Sequence, residues 1–152
     1  MSHSFPSDRE IVITRFINAP RARVYAAWIG PDIDVWWGPT GFANETSSRD
    51  VRPGGEWHYL MKHAEYGTFP NRVRFLEVGP ERIVYDHDGG ADDPTPAFRV
   101  TVTFIDHGAR TEVRLHTVFA SAEAAKAAID FHAIEGGEQT LGRAAEWIEA
   151  AG

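Results

Sequence analysis

The segment AFRVTVTFIDHGARTEVRLHTVF, residues 97–119, decides the fold of this chain because apolar side chains recur at every second position. A first strand is predicted over 97–105 and a second over 110–119, with a turn at His107-Gly108 between them. The apolar residues on one face of these strands are Val100, Val102, Phe104, Val113, Leu115 and Phe119. Such alternation is typical of an antiparallel sheet that has one face in water.

The same pattern of alternating strands extends toward the N-terminus. Short strands separated by glycine and proline turns are predicted over 42–52, 55–63, 69–78 and 82–88. Within 55–63, the side chains of Trp57, Tyr59 and Met61 alternate with polar ones and share a face. A further β-branched strand is predicted over 10–17.

Helices are predicted at two places in the chain. Between the first two strands, Pro20 introduces a helix over 22–29, and a short helical turn follows over 32–37. The region from Ser121 onward is rich in alanine and begins with a good N-cap residue. Because two glycines in a helix interior each cost about 1 kcal/mol relative to alanine, we expect a break at Gly136-Gly137 and a second helix to about 150.

This order of elements predicts an α+β fold in which the long C-terminal helix covers the concave face of a curved antiparallel sheet. Residues 1–9 are polar and are predicted to form a flexible leader, and 10–152 are predicted to form a single domain. The space between sheet and helix is the natural place for a pocket in such a fold.

Composition and charge narrow the range of functions. The 152 residues include 15 Lys and Arg against 22 Asp and Glu, which gives a formal net charge of −7. The absence of a basic run argues against nucleic acid as a partner, and no segment approaches the roughly 20 apolar residues of a membrane span. With no cysteine, disulfides, thiolate metal sites and cysteine nucleophiles are excluded. The expected location is the cytoplasm.

Several linked motifs resemble one known family. The sequence is similar to the branch of the START/Bet v 1 (SRPBCC) superfamily that is named for the activator of heat-shock-protein-90 ATPase, the AHSA-like family. The matching segments are Trp36-Trp37-Gly38-Pro39, 50–57, 75–85 and 136–148. The resemblance implies a helix-grip fold, with a seven-stranded antiparallel sheet wrapped around the C-terminal helix and two short helices after the first strand.

This resemblance also implies a cavity for a hydrophobic small molecule between sheet and helix. The residues predicted to line it are Trp36, Trp57, Tyr59, Met61, Tyr85, His87, Val100, Val102, Leu115, Ala133, Gly137 and Leu141. Gly137 stands where the family often has tryptophan. Three alternatives follow: an enlarged cavity, an aromatic side chain such as Trp57 or Trp147 in the space, or closer packing of helix and sheet.

Two further functions stay open at this point. The superfamily includes polyketide cyclases and dehydratases, so His87 with Tyr85 is a candidate acid–base pair, although no catalytic residue is assigned. The family name suggests a chaperone as partner, and a homodimer is a further alternative. Seven histidines do not place three ligands together by their spacing, so no metal site and no cofactor are predicted.

Overall fold

Over residues 1–151, which the computed structural model describes, eight strands form one antiparallel sheet and four helices accompany it. The elements are β1 (Ser2–Ser4), β2 (Glu10–Ile17), α1 (Arg21–Ile29), α2 (Ile33–Trp36), β3 (Ala43–Arg49), β4 (Glu56–His63), β5 (Gly67–Val78), β6 (Arg82–Asp88), β7 (Phe98–His107), β8 (Arg110–Val118), α3 (Ala122–Asp130) and α4 (Ala133–Ala151). None of the helices in this range is long and apolar enough to cross a membrane.

The strands lie in the order β1-β2-β8-β7-β6-β5-β4-β3. All neighbours are antiparallel, and β2 near the start of the chain pairs with β8 near its end. The α+β fold with an open antiparallel sheet and a long C-terminal helix is thereby confirmed. The sheet has one strand more than the seven that were expected.

The additional strand comes from the predicted leader. Residues 1–9 were expected to lack regular structure, but Ser2–Ser4 pairs with 12–14 of β2. Without β1, the outer edge of β2 would present a row of unpaired backbone groups. Backbone pairing at this edge needs no apolar pattern, which is why Ser-His-Ser gave no signal as a strand.

The main core lies between the sheet and α4. Alternate residues of the central strands point inward, as the period of two predicted, and α4 buries a stripe of small and branched side chains against them. That stripe consists of Thr140, Leu141, Ala144, Ala145 and Ile148. The same core includes Trp28 of α1, which packs against Trp36 of α2 with ring centroids 4.6 Å apart and against Phe104 of β7 at 5.4 Å.

The break in the C-terminal helical region lies five residues before the expected one. The prediction of a break at Gly136-Gly137 was wrong: both glycines lie inside α4, and the chain turns at Phe131 and His132. His132 has a φ of 64°, which ends α3 in the left-handed region. Gly137 serves close packing instead, because a Cβ there would lie closer than 3.0 Å to Cδ1 of Ile13, whereas a Cβ on Gly136 would make only an ordinary contact with the Pro39 ring.

Candidate functional site

A broad groove opens where the tips of β3, β4 and β5 face the junction of α3 and α4. We call it the mouth groove; its volume is about 810 Å³. Its wall on the sheet side consists of Phe42, Met61, His63, Tyr66, Phe69 and Asn71. Its wall on the helix side consists of Phe131, His132, Glu135, Gly136 and Gln139. Most of the surface that these residues offer is apolar.

A second cavity, the inner chamber, lies between the same helix junction and strands β2, β7 and β8. It measures about 370 Å³, and none of the described residues that line it is charged. Its lining includes Ile11, Ile13, Leu115, Phe119, Ala133 and Gly137. Strand alternation turns Ile11 and Ile13 inward, and the short side chain of Ala133 leaves space beside them.

A third and smaller cavity, the His87 cleft, has a volume of about 210 Å³ beside the loop that joins β6 to β7. The three cavities adjoin one another. Phe131 lines both the groove and the chamber, Asn71 lines both the groove and the cleft, and Phe98 lines both the cleft and the chamber. This end of the molecule therefore offers a recess of three adjoining, largely apolar cavities within the size range of small-molecule sites.

His87 supplies the main polar contact in this recess. Its Nε2 lies 2.9 Å from Oδ1 of Asn71, and Nδ2 of Asn71 donates to the carbonyl oxygen of Phe69 at 3.0 Å. Because that carbonyl can only accept, the amide orientation is fixed and Nε2 of His87 must carry the hydrogen. The other ring nitrogen, Nδ1, is thereby an acceptor.

Burial lowers the pKa of His87 to about 4. The ring packs against Phe98, with centroids 4.9 Å apart, and lies 6.3 Å from the rings of Tyr59 and Tyr85. An apolar environment disfavours the charged imidazolium, so His87 is neutral at physiological pH. It can form hydrogen bonds with an uncharged group but is a poor proton donor there.

Asp88, the neighbour of His87, is held by a charged network. Arg72 donates to both of its carboxylate oxygens, at 2.9 and 2.7 Å, and Arg74 lies 3.4 Å from one of them. The hydrogen bonds from Arg72 hold the pKa of Asp88 below its usual value. The pair fixes the end of β6 and so helps to position His87.

The structure places only some of the predicted lining residues in this recess. Met61 lies in the mouth groove, His87 in its cleft, and Leu115, Ala133 and Gly137 in the inner chamber. Trp36, Tyr59, Val100, Val102 and Leu141 instead lie in the packed core. Tyr59, for example, accepts a hydrogen bond from Nε1 of Trp37 at 2.9 Å.

Trp57 and Tyr85 border a separate void below Trp28 and Arg49. Its volume is about 20 Å³, which is room for roughly one water molecule and not for an organic ligand. Nε1 of Trp57 is satisfied by Oγ1 of Thr46 at 2.9 Å. These two aromatic residues therefore serve the core at this end of the sheet.

Sequence reasoning missed the aromatic residues of the mouth. Phe69 lies in the exposed first part of β5, inside the predicted strand 69–78, where alternation does not mark it as an inward residue. Tyr66 lies in the turn between β4 and β5 and Phe131 lies between two helices, so no strand or helix period includes these two. The available signal was their position, since large aromatic side chains in turn segments are costly to expose. Phe131 is 86% exposed and Tyr66 is 67% exposed.

Ile13, and neither of the two tryptophans named as alternatives, fills the space beside Gly137. A Cβ on Gly137 would lie closer than 3.0 Å to Cδ1 of Ile13. Ile13 of β2 thus approaches the helix at the point where a larger residue would sit, so helix and sheet pack closely there. The inner chamber begins next to this contact.

Comparisons with known proteins agree with this architecture. The family described as activator of Hsp90 ATPase homolog 1-like protein matches residues 18–149. No curated protein gives a significant match.

Solved structures match the whole fold at low sequence identity. Protein Ms6760 from Mycobacterium smegmatis is 22% identical with a TM-score of 0.89, covering 100% of this chain and 99% of its own. A protein from Arthrobacter aurescens is 19% identical with a TM-score of 0.90, covering 98% and 91%. The AHSA1 protein from Silicibacter pomeroyi is 17% identical with a TM-score of 0.74, covering 94% and 99%. At these identities the likeness shows the fold.

Proposed function

The chain belongs to the family of activator of Hsp90 ATPase homolog 1-like proteins, and from that premise we propose that it binds a small, largely apolar molecule in the recess at the open end of the sheet. The observation that carries the proposal is the adjacency of the three cavities, which share Phe131, Asn71 and Phe98 as lining residues. The absence of any cysteine favours the cytoplasm as its location.

The polar groups of the recess also support binding. A neutral His87 and the amide of Asn71 suit one uncharged hydrogen-bonding group of a ligand, while apolar walls surround the remainder. A few oriented polar groups in an apolar cavity are the usual composition of a small-molecule site.

Blocking the inner chamber tests the proposal. Ala133→Phe places a ring in the chamber, whereas Ala127→Phe adds the same ring on the exposed face of α3 and serves as the matched control. With the neutral dye Nile red as probe, we expect the first variant to lose at least about tenfold in affinity and the second to match the parent. Equal binding by both variants, with unchanged melting temperatures, would place the dye outside the recess and contradict the proposal.

The polyketide cyclase-like alternative has less support. It needs His87 and Tyr85 to exchange protons, yet burial lowers the pKa of His87 and raises that of Tyr85, so both would stay neutral near pH 7. Tyr85 also borders the small void and not the recess. Turnover of an aromatic polyketide that is lost in His87→Phe would favour this alternative.

The chaperone alternative rests on the family description. A pull-down against a chaperone tests it directly. Native mass spectrometry of freshly purified protein would detect a co-purified ligand, which is the outcome our proposal favours, and would also test the homodimer alternative.

A further inference from the structure

We propose that the ligand of this recess is a cationic amphiphile, whose ammonium head lies in the mouth groove and whose apolar chain enters the inner chamber. This inference rests on the proposed function, because it names the ligand class of the same site. Three properties of the recess support it: the aromatic character of the groove, the sign of its charges and the apolar lining of the chamber.

Four of the six residues that form the sheet-side wall of the groove carry aromatic rings. The ring of Phe42 lies 4.8 Å from His63 and 6.3 Å from Phe69, and His63 stacks on Tyr66 at 4.4 Å. Phe131 stands on the opposite wall and is 86% exposed. The faces of aromatic rings carry negative potential and attract ammonium groups, so an aromatic lining on both sides suits a cation.

The charges around the groove have the sign that this head requires. Glu135 lines the groove, and among the described lining residues of groove and chamber there is no lysine or arginine. A carboxylate, sulfate or phosphate head would therefore find no lysine or arginine among these lining residues, whereas an ammonium finds a carboxylate. The formal net charge of −7 favours the approach of cations as well.

The histidines of the groove do not reverse this balance. Nδ1 of His63 accepts hydrogen bonds from the backbone amides of Glu65 and Tyr66, at 3.0 and 3.2 Å, which requires that nitrogen to be unprotonated. His132 lies 3.8 Å from the carboxylate of Glu135, and its side chain is largely exposed to water. Both rings are therefore compatible with a cation when they are neutral.

The inner chamber suits the other end of such a molecule. Its described lining carries no charged side chain, and its polar area is a small part of the whole. Phe131 borders both cavities, so a head in the groove and a chain in the chamber would both contact this ring. Burial of the chain supplies affinity, and the groove decides which head group is preferred.

Three probes with the same ten-carbon chain separate head group from chain: decyltrimethylammonium, decanol and decanoate. Each competes with Nile red below its micelle concentration, at mildly alkaline pH and low salt. We expect decyltrimethylammonium to displace the dye at roughly three- to tenfold lower concentration than decanol, with decanoate the weakest. Added salt should reduce the difference between the cation and the anion.

Two variants assign the preference to the groove. Glu135→Gln should bring the affinities for the cation and decanol closer together, and Phe42→Leu should do the same through loss of a ring face. Glu146→Gln carries the same substitution on the same helix at an exposed position away from the groove, and it should change nothing.

The outcomes separate the two proposals. Nile red binding with equal displacement by all three probes, or with decanoate as the strongest competitor, would overturn the cationic ligand and leave the binding function standing. Failure of Nile red and of every probe to bind would overturn both. A cation preference that persists in Glu135→Gln and in Phe42→Leu would also overturn the assignment of the head to the mouth groove.

Discussion

Arg143 of α4 donates a hydrogen bond from Nη1 to the carbonyl oxygen of Trp37 at 3.1 Å, across 106 positions of sequence. The same guanidinium donates to a cluster of carbonyl oxygens between Val35, in α2, and Phe42. The other acceptors are Val35, Gly38, Pro39 and Phe42, at 3.0 to 3.4 Å. One side chain thus anchors the edge of the mouth groove to the C-terminal helix, because Pro39 and Phe42 line that groove.

Replacing Arg143 tests this anchor. We expect Arg143→Met to lower the free energy of unfolding by about 2–3 kcal/mol, since several half-buried carbonyls lose a charged donor. Arg143→Lys should recover only part of it, because an ammonium cannot reproduce the planar fork of donors. Urea unfolding measures the change, and Arg114→Met, at an exposed surface pair, is the control. If Arg143→Met has the same free energy of unfolding as the parent, water replaces the guanidinium as the hydrogen-bond donor at no cost, and the anchor is contradicted.

Gly137 and Ile13 are expected to be coupled. In the parent, Gly137→Ala gains helix propensity but must displace Cδ1 of Ile13. Ile13→Val removes that atom at a cost of about 0.5–1.5 kcal/mol, and in this background Gly137→Ala should gain close to 1 kcal/mol. The four proteins form a double-mutant cycle by thermal or urea unfolding. Additive effects would mean that Ile13 moves freely into the chamber.

His87 makes stability depend on pH. Its pKa is about 4 in the folded protein against 6.5 for the free side chain, so the unfolded chain binds a proton first as the pH falls. This contribution to stability is complete above about pH 6.5 and is lost toward pH 4, with a total of about 3 kcal/mol. His87→Gln should flatten the curve of unfolding free energy within this window. An NMR titration that finds an ordinary pKa for His87 would contradict the prediction.

The positive φ of His132 is expected to cost stability. A residue with a side chain loses about 1 kcal/mol in the left-handed region, and glycine does not. His132→Gly should therefore raise the free energy of unfolding by about 0.5–1 kcal/mol, whereas His132→Val should lower it. A thermal melt of both variants measures this, and destabilisation by glycine would show that the histidine side chain itself holds the turn.

The sheet could be predicted from sequence because burial on one face imposes a period of two on residues such as Val100 and Val102. The C-terminal helical region could be predicted from its alanine content and the N-cap Ser121, although the break within it was misplaced. The mouth groove could not be predicted, since Tyr66 and Phe131 lie outside the strands and helices and Phe69 lies in the exposed first part of β5, where no period of burial constrains a side chain. Spacing also placed Trp57 and Tyr85 correctly on the inner face, but it could not show that α1 and α2 close that end of the sheet around them.

The pairing of β2 with β8 has a consequence for how the chain folds during synthesis. Thr111 at the start of β8 donates to the carbonyl oxygen of Ala19 just after β2, 92 positions earlier. At ribosomal rates of synthesis, on the order of 5–20 s therefore pass between the synthesis of β2 and that of its partner β8. Such long-range pairing gives the fold a high contact order, which is typical of proteins that fold in milliseconds to seconds. During that interval the β-branched strand 10–17 has an unpaired edge, and it is the segment of the nascent chain most in need of protection from other chains.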